Sequence, residues 1–225
     1  MRNLLLIVIL SATVNVLAQE VEERSIGSFD GLKVSEGIDV YLKKGSKEAL
    51  KLEVRGTNID NVITEVSGGY LRIHMREGRY RDRSVKVYVT YVKLEKIAAS
   101  SAANVFSDGT ISGKRLVISA SSAASVDLPI DVEELDVSAS SAADVGLRGK
   151  AKNVELDASS AGEVDSYHLE ADEVRSTASS AGTIKLSVRK SINARASTGG
   201  SIRWRGNPTQ SNTNSSSGGS VRKIN

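Results

Sequence analysis

Ala99-Ser-Ser-Ala-Ala-Asn-Val105 is followed by Ala120-Ser-Ser-Ala-Ala-Ser-Val126 and by Ala139-Ser-Ser-Ala-Ala-Asp-Val145. The same marker returns as Ala158-Ser-Ser-Ala-Gly-Glu-Val164 and Ala178-Ser-Ser-Ala-Gly-Thr-Ile184. Two drifted copies close the series, Ala196-Ser-Thr-Gly-Gly-Ser-Ile202 and Ser215-Ser-Ser-Gly-Gly-Ser-Val221. The closing Val/Ile positions are 21, 19, 19, 20, 18 and 19 residues apart. Fixed spacing of this kind is the signature of a repeat architecture, in which each unit buries its neighbour.

The residues leading into each marker decide which repeat. Leu116, Ile118 and Ala120 are apolar at every second position, as are Leu135, Val137, Ala139 and Val154, Leu156, Ala158. A period of two reads as strand, not helix. Asp136, Glu155, Arg175 and Asn193 fall between the apolar positions and are expected to face water. About 19 residues per unit give a path of roughly 60 Å, enough for two or three short strands and their corners. Leucine-rich repeats have a similar length, but their Leu-rich consensus is missing here. The chain is therefore all-β, a parallel β-helix (β-solenoid) with coils of about 19 residues.

Within the marker, small residues suit a crowded corner. The drift from Ala to Gly points to a site that admits no bulk or needs positive φ. Stacked Ser100, Ser121, Ser140, Ser159 and Ser179 are expected to form a hydroxyl ladder, each donating to the next coil or to a backbone carbonyl. The slot Asn104, Ser125, Asp144, Glu163, Thr183, Ser201, Ser220 varies freely and should point outward.

Working outward, residues 25–98 carry no clear marker but keep the strand pattern. Expected strands are Ile38 to Leu42, Leu50 to Val54, Val62 to Val66, Leu71 to Met75 and Val85 to Tyr91. Gly68-Gly69 signals a hairpin. This half reads as early irregular coils or as a β-rich cap over the solenoid end. At the other end, the Asn/Ser/Thr-rich stretch from Asn207 to Ser217 reads as a loop extruded before a final strand near Val221.

The N-terminus has one positive charge, Arg2, then an apolar run from Leu4 to Leu10 and small residues up to Ala18. This is the layout of a cleavable secretory signal over residues 1–18, with 19–24 a short linker and 25–225 the solenoid domain. The competing reading, a membrane anchor, needs roughly 20 apolar residues. No transmembrane segment is expected after cleavage. Export leaves the periplasm, the outer membrane and the cell surface open as destinations.

Composition narrows the chemistry. There is no Cys, so thiolate catalysis and Cys-based zinc sites are excluded. Only His74 and His168 are present, so a multi-histidine metal site within one chain is excluded. No cofactor is expected. Loss of Arg2 with the signal lowers the formal charge from +3 to +2 (+3 − 1). A nearly balanced protein is not steered toward nucleic acid.

The opening Arg24-Ser-Ile-Gly-Ser-Phe-Asp-Gly-Leu, then Val34-Ser-Glu-Gly-Ile-Asp-Val40 and Val66-Ser-Gly-Gly-Tyr-Leu-Arg-Ile73, precede the markers, and Arg205-Gly-Asn-Pro comes after them. Together they resemble the auto-transporter adhesin "head GIN domain" family (DUF2807), common in the Bacteroidetes. The family marker is usually Ser-Gly-(Ala/Ser), whereas most copies here read Ser-Ser-Ala. The resemblance covers almost the whole mature chain. It implies an exported, right-handed parallel β-helix and no particular reaction.

Two function classes fit such a chain. The first is a non-enzymatic envelope or surface protein, an adhesin or binding scaffold whose partner is a glycan or another envelope protein. The second is a glycan-active enzyme with carboxylates on one face, for which Asp127, Asp136, Asp144 and Asp157 are available on successive coils. No column is consistently acidic, since Asp136 stacks on Glu155 but then on Arg175, and no carboxylate is expected to titrate abnormally. His168, in the turn-like Ser166-Tyr-His-Leu, is expected to be a surface or packing residue, and His74 to lie on the solvent face of a strand.

The densest basic feature contains Arg76, Arg79, Arg81 and Arg83. As a site it would contact phosphate or carboxylate groups of lipopolysaccharide or an acidic glycan. Otherwise it is a solvated hairpin end. Trp204, Tyr167 and Tyr41 could serve a sugar platform but are scattered in sequence.

Overall fold

The computed structural model describes residues 19–224, and the expected signal at 1–18 lies outside them. Eight two-residue turns of one geometry set the fold. They fall at Glu36 and Gly37, Ser101 and Ala102, Ser122 and Ala123, Ser141 and Ala142, Ser160 and Ala161, Ser180 and Ala181, Thr198 and Gly199, and Ser217 and Gly218. All sixteen residues have φ between +48° and +75°. Two successive left-handed residues make a type I′ turn, which normally selects Asn-Gly. An L-residue there costs about 1–2 kcal/mol.

What offsets that cost is stacking. Ser121 N–H donates to Ala99 O of the preceding coil at 3.0 Å, and Ser125 N–H to Ala103 O at 2.9 Å. In the opposite direction Ala102 N–H donates to Ser122 O of the following coil at 2.9 Å. The same three bonds recur at every later step, down to Gly199 N–H on Ser217 O at 3.3 Å. Each contributes about 0.5–1.5 kcal/mol net. The backbone makes this ladder. The hydroxyl ladder expected of the marker serines does not form among the described residues, because a type I′ corner already places N–H and C=O groups along the axis. The inter-coil hydroxyl pair that does occur is Ser138 Oγ on Ser119 Oγ, at 3.2 Å.

The chain starts with β1 (Glu20–Arg24) and then makes its first coil from β2 (Gly31–Val34) and β3 (Asp39–Lys44). It next turns back through β4 (Ala49–Arg55), a 3-10 turn at Ile59–Asn61, β5 (Val62–Ser67), β6 (Tyr70–Met75) and β7 (Ser84–Tyr91). β6 lies parallel to β2 and β7 parallel to β3. β5 and β4 then pair antiparallel outside them, with β1 beyond β4. β5 and β6 form the hairpin expected at Gly68-Gly69.

β8 (Lys96–Ala99) and β9 (Asn104–Ser107) stack on the other side of the first coil. From there coils add in one direction through β10 (Ile111–Ala120), β11 (Ser125–Ala139), β12 (Asp144–Ala158), β13 (Glu163–Ala178) and β14 (Thr183–Ala196). β15 (Ser201–Arg205), β16 (Gln210–Ser215) and β17 (Ser220–Lys223) finish the stack.

The segment expected to be a loop, Asn207 to Ser217, therefore contains a strand. β16 pairs in register with β14, from Gln210 on Ser191 to Ser215 on Ala196. Its inward positions Ser211, Thr213 and Ser215 continue the columns of Ile192, Ala194 and Ala196. No described strand stacks beyond it on this face, so these positions need no apolar side chain. That removes the alternation by which a strand is recognised.

The core is built from columns that run down the axis. Val40, Val105, Val126, Val145, Val164, Ile184 and Ile202 follow the turns and are all 0% exposed. Each contributes roughly 1.5–3 kcal/mol by burial. The last marker residue before the polar slot follows another column: Ile38, Ala103, Ala124, Ala143, Gly162, Gly182, Gly200, Gly219. None of these four glycines has positive φ. Their requirement is space, because a Cβ at Gly182 would stand 2.3 Å from Ala158 O. Ile38 fits because the strands beneath it, β6 and β7, are joined by a longer corner. The turn glycines Gly199 and Gly218, at φ +74° and +75°, meet the other requirement.

Two substitutions separate these roles. Gly182→Ala should destabilise by about 1–3 kcal/mol through overpacking against backbone. Ala142→Gly should leave stability unchanged or raise it by up to about 1 kcal/mol, as relief of left-handed strain opposes glycine's entropy cost. Denaturant midpoints of the two variants check both signs.

Candidate functional site

Each coil approaches its turn through a strand whose inward residue is Leu116, Leu135, Val154, Val174 or Ile192. The flanking outward residues stack into two columns. One runs Arg115, Glu134, Asn153, Glu173, Ser191, Gln210, and the other Val117, Asp136, Glu155, Arg175, Asn193, Asn212. Between them lies an open groove of 780 Å³ that crosses six strands, from β10 through β14 and on to β16.

Every residue of the two columns except Val117 is polar. Arg115 approaches Glu134 Oε2 and Asp136 Oδ2, both at 3.9 Å. That is attraction without a hydrogen bond. Among the described residues, none of the eleven polar side chains hydrogen-bonds to another protein group. The face after the turn contrasts with this. There Asn104 Nδ2 donates to Asp39 Oδ1 at 2.7 Å. Lys185 Nζ lies 2.5 Å from Glu163 Oε1 and 3.6 Å from Asp165 Oδ2, and Arg148 pairs with Asp127.

Two carboxyls titrate above the ordinary aspartate range, contrary to the expectation from sequence. Partial burial raises Asp144, helped by the charges of Glu163 and Asp165. Partial burial also raises Asp157, with Glu155 adding to it. Neither is among the charges that shift the other, so they do not form a working pair. Among the described residues no cluster of three metal-ligating side chains occurs.

The basic segment takes a structural role in part. Residues 76–83 link β6 to β7 where the other coils have their type I′ turn. Each turn carbonyl accepts from the coil before it, as Ser101 O accepts from Gly37 N–H at 2.9 Å. At the first turn no such N–H is found among the described residues, and Arg83 Nη2 donates to Glu36 O instead. The Glu36 carboxylate in turn accepts from Met75 N–H at 2.6 Å. Tyr80 lies under the Arg83 guanidinium, 5.3 Å away, and its hydroxyl donates to Arg76 O at 2.9 Å. Arg76 reaches Asp60 O at 3.3 Å. Arg79 and Arg81 are exposed. The four arginines surround one depression but do not converge as free charges.

Tyr41, Tyr167 and Trp204 do not make a common platform. Tyr41 is stacked between Tyr88 and Phe106, with ring centroids 5.2 and 5.5 Å away, so its faces are covered. Trp204 points inward at 7% exposure beneath Lys223. Tyr167 carries the Arg205 guanidinium at 5.3 Å. His168 is exposed beside Arg148, in a strand interrupted by a register shift and not in a turn. His74 is half-buried, its Nδ1 2.9 Å from Met75 O.

Coil stacking and an outward polar groove define the chain as a parallel β-solenoid. It belongs to the family described as "Putative auto-transporter adhesin, head GIN domain", whose model matches residues 28–208. A protein of Bacteroides fragilis described as a "putative adhesin" is 18% identical, with a TM-score of 0.84 over 92% of this chain and 97% of that one. A "putative adhesin" of Parabacteroides merdae is also 18% identical, with a TM-score of 0.76 over 92% and 96%. A "putative lipid binding protein" of Parabacteroides distasonis has the same fold at 16% identity, with a TM-score of 0.66 over 92% and 97%. Among curated proteins none matches the chain.

Arg83→Ala should cost about 1–3 kcal/mol, because it leaves the first turn carbonyl without its donor. Arg79→Ala and Arg81→Ala should stay within about 0.5 kcal/mol of the parent. Thermal melts of the three variants check the difference.

Proposed function

We propose that the protein is a non-enzymatic adhesin-type scaffold, exported to the cell envelope or cell surface, that binds its partner along the solenoid axis. The observation that carries this reading is the groove. Its polar side chains stand in register over six strands, and among the described residues none of them hydrogen-bonds to the protein itself. The strands beneath pair in parallel register along both columns, so the groove is preorganised and a ligand need not order it. Membership in a family described by adhesion supports the same class.

A glycan-active enzyme would require an acid and a base converging on one bond. The carboxyls displaced from their ordinary range, Asp144 and Asp157, do not act on one another. Asp127 is engaged by Arg148. The geometry thus favours holding a ligand over transforming it.

The test uses the chain from residue 19 onward, purified and added to isolated envelopes of the producing organism. Saturable binding without release of soluble fragments is expected. Absence of saturable binding, or turnover of envelope polysaccharide, would contradict the reading.

A further inference from the structure

The groove has a chemistry of its own, beyond its place in a binding scaffold. We infer that it binds a linear, uncharged polysaccharide lying along the solenoid axis, an assignment that rests on the scaffold reading of the same face.

Three observations point there. First, the groove is long and stepped. Six strands spaced by about 4.8 Å give a length of roughly 24 Å, with one pair of outward side chains per step. That step is of the order of the rise per ring in an extended sugar chain. Second, the side chains are those that pair with hydroxyls. Asn153, Asn193, Gln210 and Asn212 each offer a donor and an acceptor, and Glu155 and Glu173 each accept from two hydroxyls. None of them is used internally among the described residues. Third, the charge excludes the obvious competitors. Glu134, Asp136, Glu155 and Glu173 outnumber Arg115 and Arg175, so a polyanionic glycan would be repelled.

An extended peptide fits less well. The floor is the outward face of a sheet whose backbone groups are already paired with neighbouring coils. A peptide backbone would find no strand edge there to extend. No aromatic side chain lines the groove, so recognition relies on hydroxyl bonds and not on ring stacking. Binding of this kind is weak per step and gains strength from many steps on one polymer.

Affinity electrophoresis of the chain from residue 19 onward provides the test, with hydroxyethylcellulose, linear mannan, dextran or polygalacturonate cast in the gel. At least one neutral polymer should retard the protein, and polygalacturonate should not. Ser191→Trp, which fills the groove from an outward position, should weaken retardation about tenfold or more. Thr183→Trp, outward on the other face, should not. The double variant Asn193→Ala with Asn212→Ala repeats the test without added bulk, and melting curves establish that each variant is folded.

Retardation by no neutral polymer, retardation by polygalacturonate alone, or full retardation of both folded groove variants would overturn the inference. So would groove-dependent capture of a displayed peptide library in place of sugar. If polysaccharide binding fails while envelope binding persists, the polysaccharide assignment falls and the scaffold reading stands. If both fail, both fall.

Discussion

The type I′ corner is unfavourable one coil at a time and favourable only in a stack. A Ser-Ala pair in the left-handed region costs about 1–2 kcal/mol per residue. A single coil has only its internal turn bond to set against that, such as Ala103 N–H on Ser100 O at 3.2 Å. Three further bonds appear at each step once a neighbour is present. The local geometry is therefore a consequence of the array, which is what makes the array cooperative. It also explains why the marker is made mostly of small residues. A β-branched side chain strains the left-handed position, where Thr198 is the exception among the described markers, and a Cβ at Gly162, Gly182, Gly200 or Gly219 would meet the carbonyl of the preceding coil.

A ladder has two ends, and each is finished differently. At the N-terminal end Arg83 replaces the missing turn donor, while β5 and β4 pair antiparallel outside β6 and β7. At the other end the inward positions of β16 become Ser and Thr, so the last described coil on that face ends in polar side chains. These two solutions take the most conspicuous features outside the repeat, the arginine-rich segment and the Asn/Ser/Thr-rich segment, largely into architecture. The groove is what the architecture leaves uncommitted: outward polar side chains in register, on a face where the backbone is already satisfied.

The repeat, the strand class and the inward columns are legible in the sequence because spacing and alternation are one-dimensional signals. Ser35-Glu36-Gly37 makes the same turn as the later markers but was hidden by Ile38, which breaks the small-residue rule where the corner beneath is wider. β16 was hidden because its core-facing residues are polar. The role of Arg83 depends on a carbonyl 47 positions away in the chain. One column of the groove, Asp136, Glu155, Arg175 and Asn193, is legible from the alternation, but the second is not. Arg115, Glu134, Asn153 and Glu173 look unrelated along the chain and become one column only when coils are superimposed. The expected hydroxyl ladder failed for a related reason, since the backbone bonds of a type I′ corner carry the stacking themselves.

Hydrogen exchange at the turns measures the stack most directly. The amides of Ala102, Ala123, Ala142, Ala161 and Ala181 each donate to the following coil, whereas those of Ser101, Ser122, Ser141, Ser160 and Ser180 have no backbone acceptor. Residue-resolved exchange should show the five alanine amides protected as strongly as the flanking strands, beside fast-exchanging serines. Alanine amides that exchange as fast as their serine neighbours would contradict the claim that stacked turns hold the solenoid together.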